Sequence, residues 1–166
     1  MPAARTISEG EGFVRLAASA PLSAHPRHVA QLLARGAEAW GGEAVDGAPA
    51  GLRRYAIDLR LRVGGERGGL TTFRKAALLD LGPVLPSDEG WEVEIAWRAA
   101  SGAPLFPVFG GLLSIAPGVL RLEGVYAPPG GMVGRMADRV LLHVAANGTA
   151  RWLLGELASA GAASAG

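Results

Sequence analysis

The 166-residue chain contains no cysteine, which excludes disulfides, thiolate metal sites and a cysteine nucleophile together. An excess of charge of either sign is also missing. Sixteen Lys and Arg against 15 Asp and Glu leave a formal charge of +1, too little to gather nucleic acid or an anionic membrane around the protein. Nucleic acid is therefore not an expected partner. Nor is there an unbroken apolar run long enough to span a bilayer. Ala100 to Leu120 is free of charge, yet Pro104, Pro107 and Pro117, with Gly102, Gly110, Gly111 and Gly118, interrupt it, so no integral membrane span is expected. Met1 to Gly12 carries Arg5, Glu9 and Glu11 and no apolar core, which reads as a flexible leader (1–12) rather than a secretory signal. Gly-x-Ser-x-Gly and His-Glu-x-x-His are both absent, removing the usual signatures of a serine hydrolase elbow and a zincin site. With no catalytic motif, binding is favoured over enzymatic activity, and no cofactor or metal is expected.

What is present suits one domain with a substantial core: 17.0 kDa, 49% hydrophobic residues and a mean hydropathy of +0.25. The lack of cysteine fits cytoplasmic residence, and the Ala, Gly and Arg bias fits a bacterial source. Phe13 to Leu22 is a short apolar run ended by the breakers Pro21 and Pro26, as a first strand would be. Ser23 or His25 can cap a following helix that has Pro26 in its first turn. Val29, Leu32, Leu33, Ala37 and Trp40 recur at helical spacing until Gly41 and Gly42.

The period then changes to two. Tyr55, Ile57, Leu59, Leu61 and Val63 alternate with Arg54, Asp58, Arg60 and Arg62, and Trp91, Val93, Ile95 and Trp97 alternate with Glu92, Glu94 and Arg98, defining two half-buried strands. Thr71 to Leu81 is a strand of less tidy alternation whose register the pattern leaves open. Leu105 to Phe109 and Leu112 to Ile115 are apolar on both parities, and Pro107 points to an edge strand or a bulge. Val119 to Tyr126 alternates again, with Leu120, Leu122, Gly124 and Tyr126 on one side. From Met132 to Ala160 the pattern is helical, with Val133, Met136, Ala137, Val140, Leu141, Val144, Trp152, Leu153 and Leu157 expected on its apolar face. Residues 161–166 read as a flexible tail, leaving 13–160 as the domain.

This order of strand, short helix, several antiparallel strands and long terminal helix resembles the helix-grip layout of the START-like or Bet v 1-like (SRPBCC) superfamily. Ala24-His25-Pro26-Arg27-His28-Val29 looks like that superfamily's Pro-x-x-Val helix start, and Leu122 to Gly130, with Gly134 and Asp138 beyond, is similar to a Gly-x-Tyr-x-Pro-Pro segment of bacterial members. The resemblance implies an α+β fold in which a curved antiparallel sheet wraps a long C-terminal helix. It also implies a cavity between the two for a small hydrophobic molecule, lipid-like or polyketide-like. By strand parity the expected lining is Tyr55, Ile57 and Leu59, then Trp91, Val93, Ile95 and Trp97, then Leu122 and Tyr126. Met136, Val140 and Val144 would oppose them from the helix. The superfamily has no universal catalytic residue to carry over.

Other constellations favour plain roles. His25 and His28 have a spacing that suits metal ligation, but with no third ligand nearby, helix capping and solvent exposure are expected. His143 reads as a helix-surface histidine. Gly130-Gly131-x-x-Gly134 lacks the Lys-Ser/Thr of a phosphate loop and reads as a tight turn. Arg60, Arg62, Arg74 and Arg98 are expected on the outer sheet face, offset by Asp58, Glu92 and Glu94. Three functions remain: a carrier or sensor of a hydrophobic molecule, a cyclase- or aromatase-like enzyme acting on a polyketide-type substrate, and a structural or oligomeric domain with a filled core. Homo-oligomerisation stays open, with the apolar stretch from Leu105 to Ile115 as its candidate interface.

Overall fold

Alternating apolar and polar residues give this chain long strands with one face to bury, and two helices cover that face. The computed structural model describes residues 13–64, 70–101, 108–127 and 136–165, with backbone alone at 61–64, 70–73 and 136–143. The strands are β1 (Val14–Pro21), β2 (Glu43–Val45), β3 (Arg53–Gly64), β4 (Leu70–Leu81), β5 (Leu85–Pro86), β6 (Trp91–Ala99), β7 (Val108–Ala116) and β8 (Val119–Ala127). The helices are α1 (Pro26–Arg35) and α2 (Met136–Ala163), and a 3-10 turn spans Ala37–Trp40. The strands form one antiparallel sheet in the order β1-β8-β7-β6-β4-β3-β2, with β5 added beside β6. α2 packs against β1 and β3, which lie on opposite flanks of that order, so the sheet arches around the helix. Its C-terminal end reaches α1, where Gly161 lies so close to Val29 that a Cβ would sit 2.6 Å from Cγ2.

α1 closes one end of the arch. His25 caps it, its Nδ1 accepting from the Arg27 amide at 3.2 Å, and Pro26 follows, where a missing N–H costs nothing. The helical spacing suggests continuity to Trp40, but the helix stops at Gly36. That residue has a φ of 103°, and the Tyr55 hydroxyl occupies the place of a Cβ, so the chain turns there and resumes as the 3-10 turn. Arg53 then donates from its guanidinium to the carbonyls of Leu33 and Ala34 at 3.0 and 2.9 Å, satisfying acceptors that the helix end leaves open.

Two further expectations need correction. β7 is an interior strand between β6 and β8, neither an edge nor a bulge, because its ladder begins at Val108, after Pro107. It buries Phe109, Leu113 and Ile115 and exposes Val108 and Leu112. Among the described side chains the buried face of α2 is Ala145, Ala146, Thr149, Ala150, Leu153, Leu154 and Leu157, so Leu153 and Leu157 lie as expected while Val144 is left 41% exposed. Apolar residues surround this helix on all sides, so periodicity alone could not set its phase. Small side chains mark where its backbone approaches the sheet.

On the convex face β3 and β4 set Arg54 opposite Asp80. The guanidinium pairs with the carboxylate through Nε–Oδ1 at 2.6 Å and Nη2–Oδ2 at 2.8 Å, and a third N–H reaches the Gly47 carbonyl at 2.6 Å. Arg60 faces Arg74 across the same pair of strands, so those two arginines are not offset by acids directly opposite.

Candidate functional site

The register resolves the concave face into transverse rows. Nearest α1 are Trp91-Ile115-Leu120 and Val93-Leu113-Leu122, followed by Leu81-Ile95-Gly111-Gly124. Next comes the row Tyr55-Leu79-Trp97-Phe109-Tyr126, which crosses five strands. Beyond it, toward the β3–β4 turn, lie Ile57-Ala77-Ala99 and Leu59-Lys75. Strands β3, β6 and β8 all finish at this same end, opposite α1.

This order separates residues that parity groups together. Trp91 and Trp97 share a face but are six residues apart, roughly 20 Å along the strand. Trp91 is only half-buried, at the α1 end. It also lines a polar cleft of roughly 570 Å³ with Glu92, Ser114, Arg121 and the Ser87–Glu89 turn. Val93, Ile95 and Leu122, each at most 1% exposed, fill the core beneath the helices. Tyr55 is 3% exposed and sits under Gly36. Ile57, Leu59, Trp97 and Tyr126 remain together toward the far end, joined by Phe109. The side chains of Met136 and Val140, like His143 and the Gly130–Gly134 run, lie outside the described residues. Val144 faces outward.

Within the aromatic row Trp97 stacks on Phe109, with 4.1 Å between ring centroids and 21° between planes. Trp97 is 1% exposed, and its buried indole Nε1 has no hydrogen-bond partner among the described residues. An unsatisfied N–H in such a place costs about 1–3 kcal/mol, and Trp normally finds an acceptor when buried. Burial pushes the Tyr126 phenol above its ordinary range, so it is a protonated donor at neutral pH. The concave face described here carries Trp97, two tyrosines, Arg53 and Lys75 and, among the described residues, no Asp or Glu. It is a donor face.

Phe109 escapes the sequence reading because its strand reads there as an edge. The signal is present in Gly110-Gly111 directly after an aromatic, since a glycine within a strand often marks close approach of another group. Lys75 escapes because the pattern leaves the register of β4 open. His25 caps α1 as expected, but His28, whose ring lies 6.1 Å from that of His25, is half-buried rather than exposed, with a buried Nδ1 that finds no partner among the described residues.

An arched antiparallel sheet gripping a C-terminal helix, with a short helix closing one end, defines an α+β class that solved structures share. No protein-family model matches the chain, and no curated protein matches it in sequence. The di-domain ARO/CYC BexL from the BE-7585A biosynthetic pathway superposes with a TM-score of 0.56 at 14% identity, over 93% of this chain and 52% of that one. The present chain thus spans about half of that protein's length. TTHA0849 from Thermus thermophilus also gives 0.56, at 15% identity, over 92% of this chain and all of the other. The fold shared with these two structures is a helix grip. No helix among the described residues is long and apolar enough to cross a membrane.

Proposed function

We propose that this domain binds a small, largely apolar molecule on the concave face, between the sheet and the N-terminal half of α2, in a cytoplasmic setting. The observation that carries the reading is the indole N–H of Trp97, which finds no acceptor among the described residues in an otherwise close-packed core. An acceptor on a guest would satisfy it, and the apolar row around it would hold the rest of the guest. The rows nearer α1 have no part in this. Their large aliphatic side chains are at most 1% exposed and serve as the floor, with Trp91 half-buried at the rim.

A second reading, a cyclase-like enzyme acting on a polyketide-type substrate, takes support from Tyr126. A buried phenol held protonated can donate to a carbonyl oxygen as negative charge develops there, and the ARO/CYC designation of BexL points the same way. Binding is common to both readings and is tested first.

Native mass spectrometry of freshly purified protein tests it. A co-purifying small-molecule mass that is lost on organic extraction is the expected result. No bound mass, together with no uptake of an uncharged fluorophore such as N-phenyl-1-naphthylamine, overturns the reading and leaves a domain with a filled core.

A further inference from the structure

Lys75 is the one cation on the described concave face that nothing nearby uses. Its place follows from the register. β3 and β4 pair without interruption from Arg53↔Leu81 to Gly64↔Leu70, so Lys75 stands on the same side as Ala77, Leu79 and Leu81, all fully buried, and opposite Leu59, also fully buried. Lys75 itself is half-buried. Arg53, on the same face, is committed to the end of α1. The nearest acids along these strands belong to the convex side: Asp80 is taken by Arg54, and Asp58 points away by parity. Among the described residues no acid pairs with Lys75.

A lysine in such a place has two physical outcomes. It can lay its stem on apolar neighbours and carry its ammonium to water, or it can meet an anion brought by a ligand. The second is favoured by the company it keeps, because the groups along this face are donors: the ammonium of half-buried Lys75 and, deeper in, an indole N–H without a partner among the described residues. Strand geometry puts Lys75 roughly 13 Å nearer the β3–β4 turn than the Trp97 row, about the reach of a medium-length acyl chain.

Resting on the binding function above, we propose that the guest is an amphipathic monoanion, a carboxylate with an apolar body, whose head pairs with half-buried Lys75 while its body lies over Ile57, Leu59 and the Trp97-Phe109 stack. Lys75 is then a specificity residue that selects acids over neutral lipids of the same length. A charge-assisted hydrogen bond in a half-buried place makes that preference about tenfold or more.

The test uses the whole chain loaded with N-phenyl-1-naphthylamine, displaced by dodecanoate or by dodecanol. The wild type is expected to prefer dodecanoate about tenfold. Lys75→Met keeps the stem length and is expected to bring the two ligands together without weakening dodecanol, and Lys75→Gln should do the same if the methionine variant folds poorly. Equal displacement by acid and alcohol in the wild type, or a preference that survives both substitutions, overturns the assignment of Lys75 and leaves apolar binding standing. If the fluorophore does not bind and neither lipid is taken up, the binding function itself falls, and this proposal with it.

Discussion

Gly111 and Gly124 face each other across β7 and β8, and the ring of Phe109 lies over both: a Cβ built on either glycine would stand 2.7 or 2.8 Å from Phe109 Cζ. The paired absence of side chains is what lets an aromatic fold down along its own strand and present its face to Trp97. It also brings each strand's backbone against the other's glycine.

Gly124→Ala is therefore expected to destabilise the protein by about 1–3 kcal/mol through overpacking. Gly110→Ala is its control, because a Cβ there meets nothing within 4 Å. Urea midpoints measured by circular dichroism check this. Equal midpoints for the two variants would mean that Phe109 does not depend on the glycine pair.

The buried Arg54–Asp80 pair invites a different substitution. Both residues are less than a tenth exposed, and the hydrogen bond to Asp80 raises the Arg54 pKa. Asp80→Ala leaves a guanidinium with only the Gly47 carbonyl, at an expected cost of about 3–5 kcal/mol. The double variant Arg54→Met with Asp80→Leu should recover most of that loss, since an apolar pair carries no desolvation penalty. A double variant as unstable as the single one would show that the hydrogen bond to Gly47 is the larger contribution.

How much of this is legible in the sequence depends on whether neighbouring residues differ. In β3, β6 and β8 strict alternation, as in Trp91-Glu92-Val93-Glu94, sets the buried face correctly. β4 has apolar residues on both parities, and only pairing with β3 shows that Lys75 shares a face with Leu79. α2 fails for a related reason. Leucines and valines lie on every side of it, and although Leu153 and Leu157 are buried as expected, the contact face also takes in Ala145, Ala146 and Ala150 and leaves out Val144, because closeness as well as hydrophobicity decides. At the site, parity says which residues look inward but not how far along the strand they lie, so it joins Trp91 and Trp97 although a core stands between them.

The phenol of Tyr126 makes stability depend on alkaline pH. Its folded pKa is raised by burial, whereas in the unfolded chain it ionises near the ordinary value of about 10. Below that value both states hold the proton and its contribution is fully present. Above it the unfolded state releases the proton first, so stability falls as pH rises toward the folded pKa. Urea titrations from pH 8 to 11, with phenolate absorbance followed in parallel, are expected to show a decline beyond pH 10 that Tyr126→Phe makes shallower. An unchanged slope in the variant would place the alkaline sensitivity outside Tyr126.

The indole of Trp97 offers the most direct view of the guest. Trp40, Trp97 and Trp152 each bury an Nε1 without a partner among the described residues, but Trp40 lies in the turn after α1 and Trp152 on α2, so of these three only Trp97 points from the concave sheet. In a nitrogen-15 spectrum, 2-dodecanone should move the Trp97 indole proton downfield as its carbonyl accepts the N–H, while dodecane, equally long and without an acceptor, should leave that proton near its starting position. Trp97→Phe assigns the signal by deleting it. Trp91, a strand's length away at the other rim, is expected to stay still with either ligand. A shift confined to Trp91 would move the site to the polar cleft beside the β5–β6 turn and would refute a guest on the concave face.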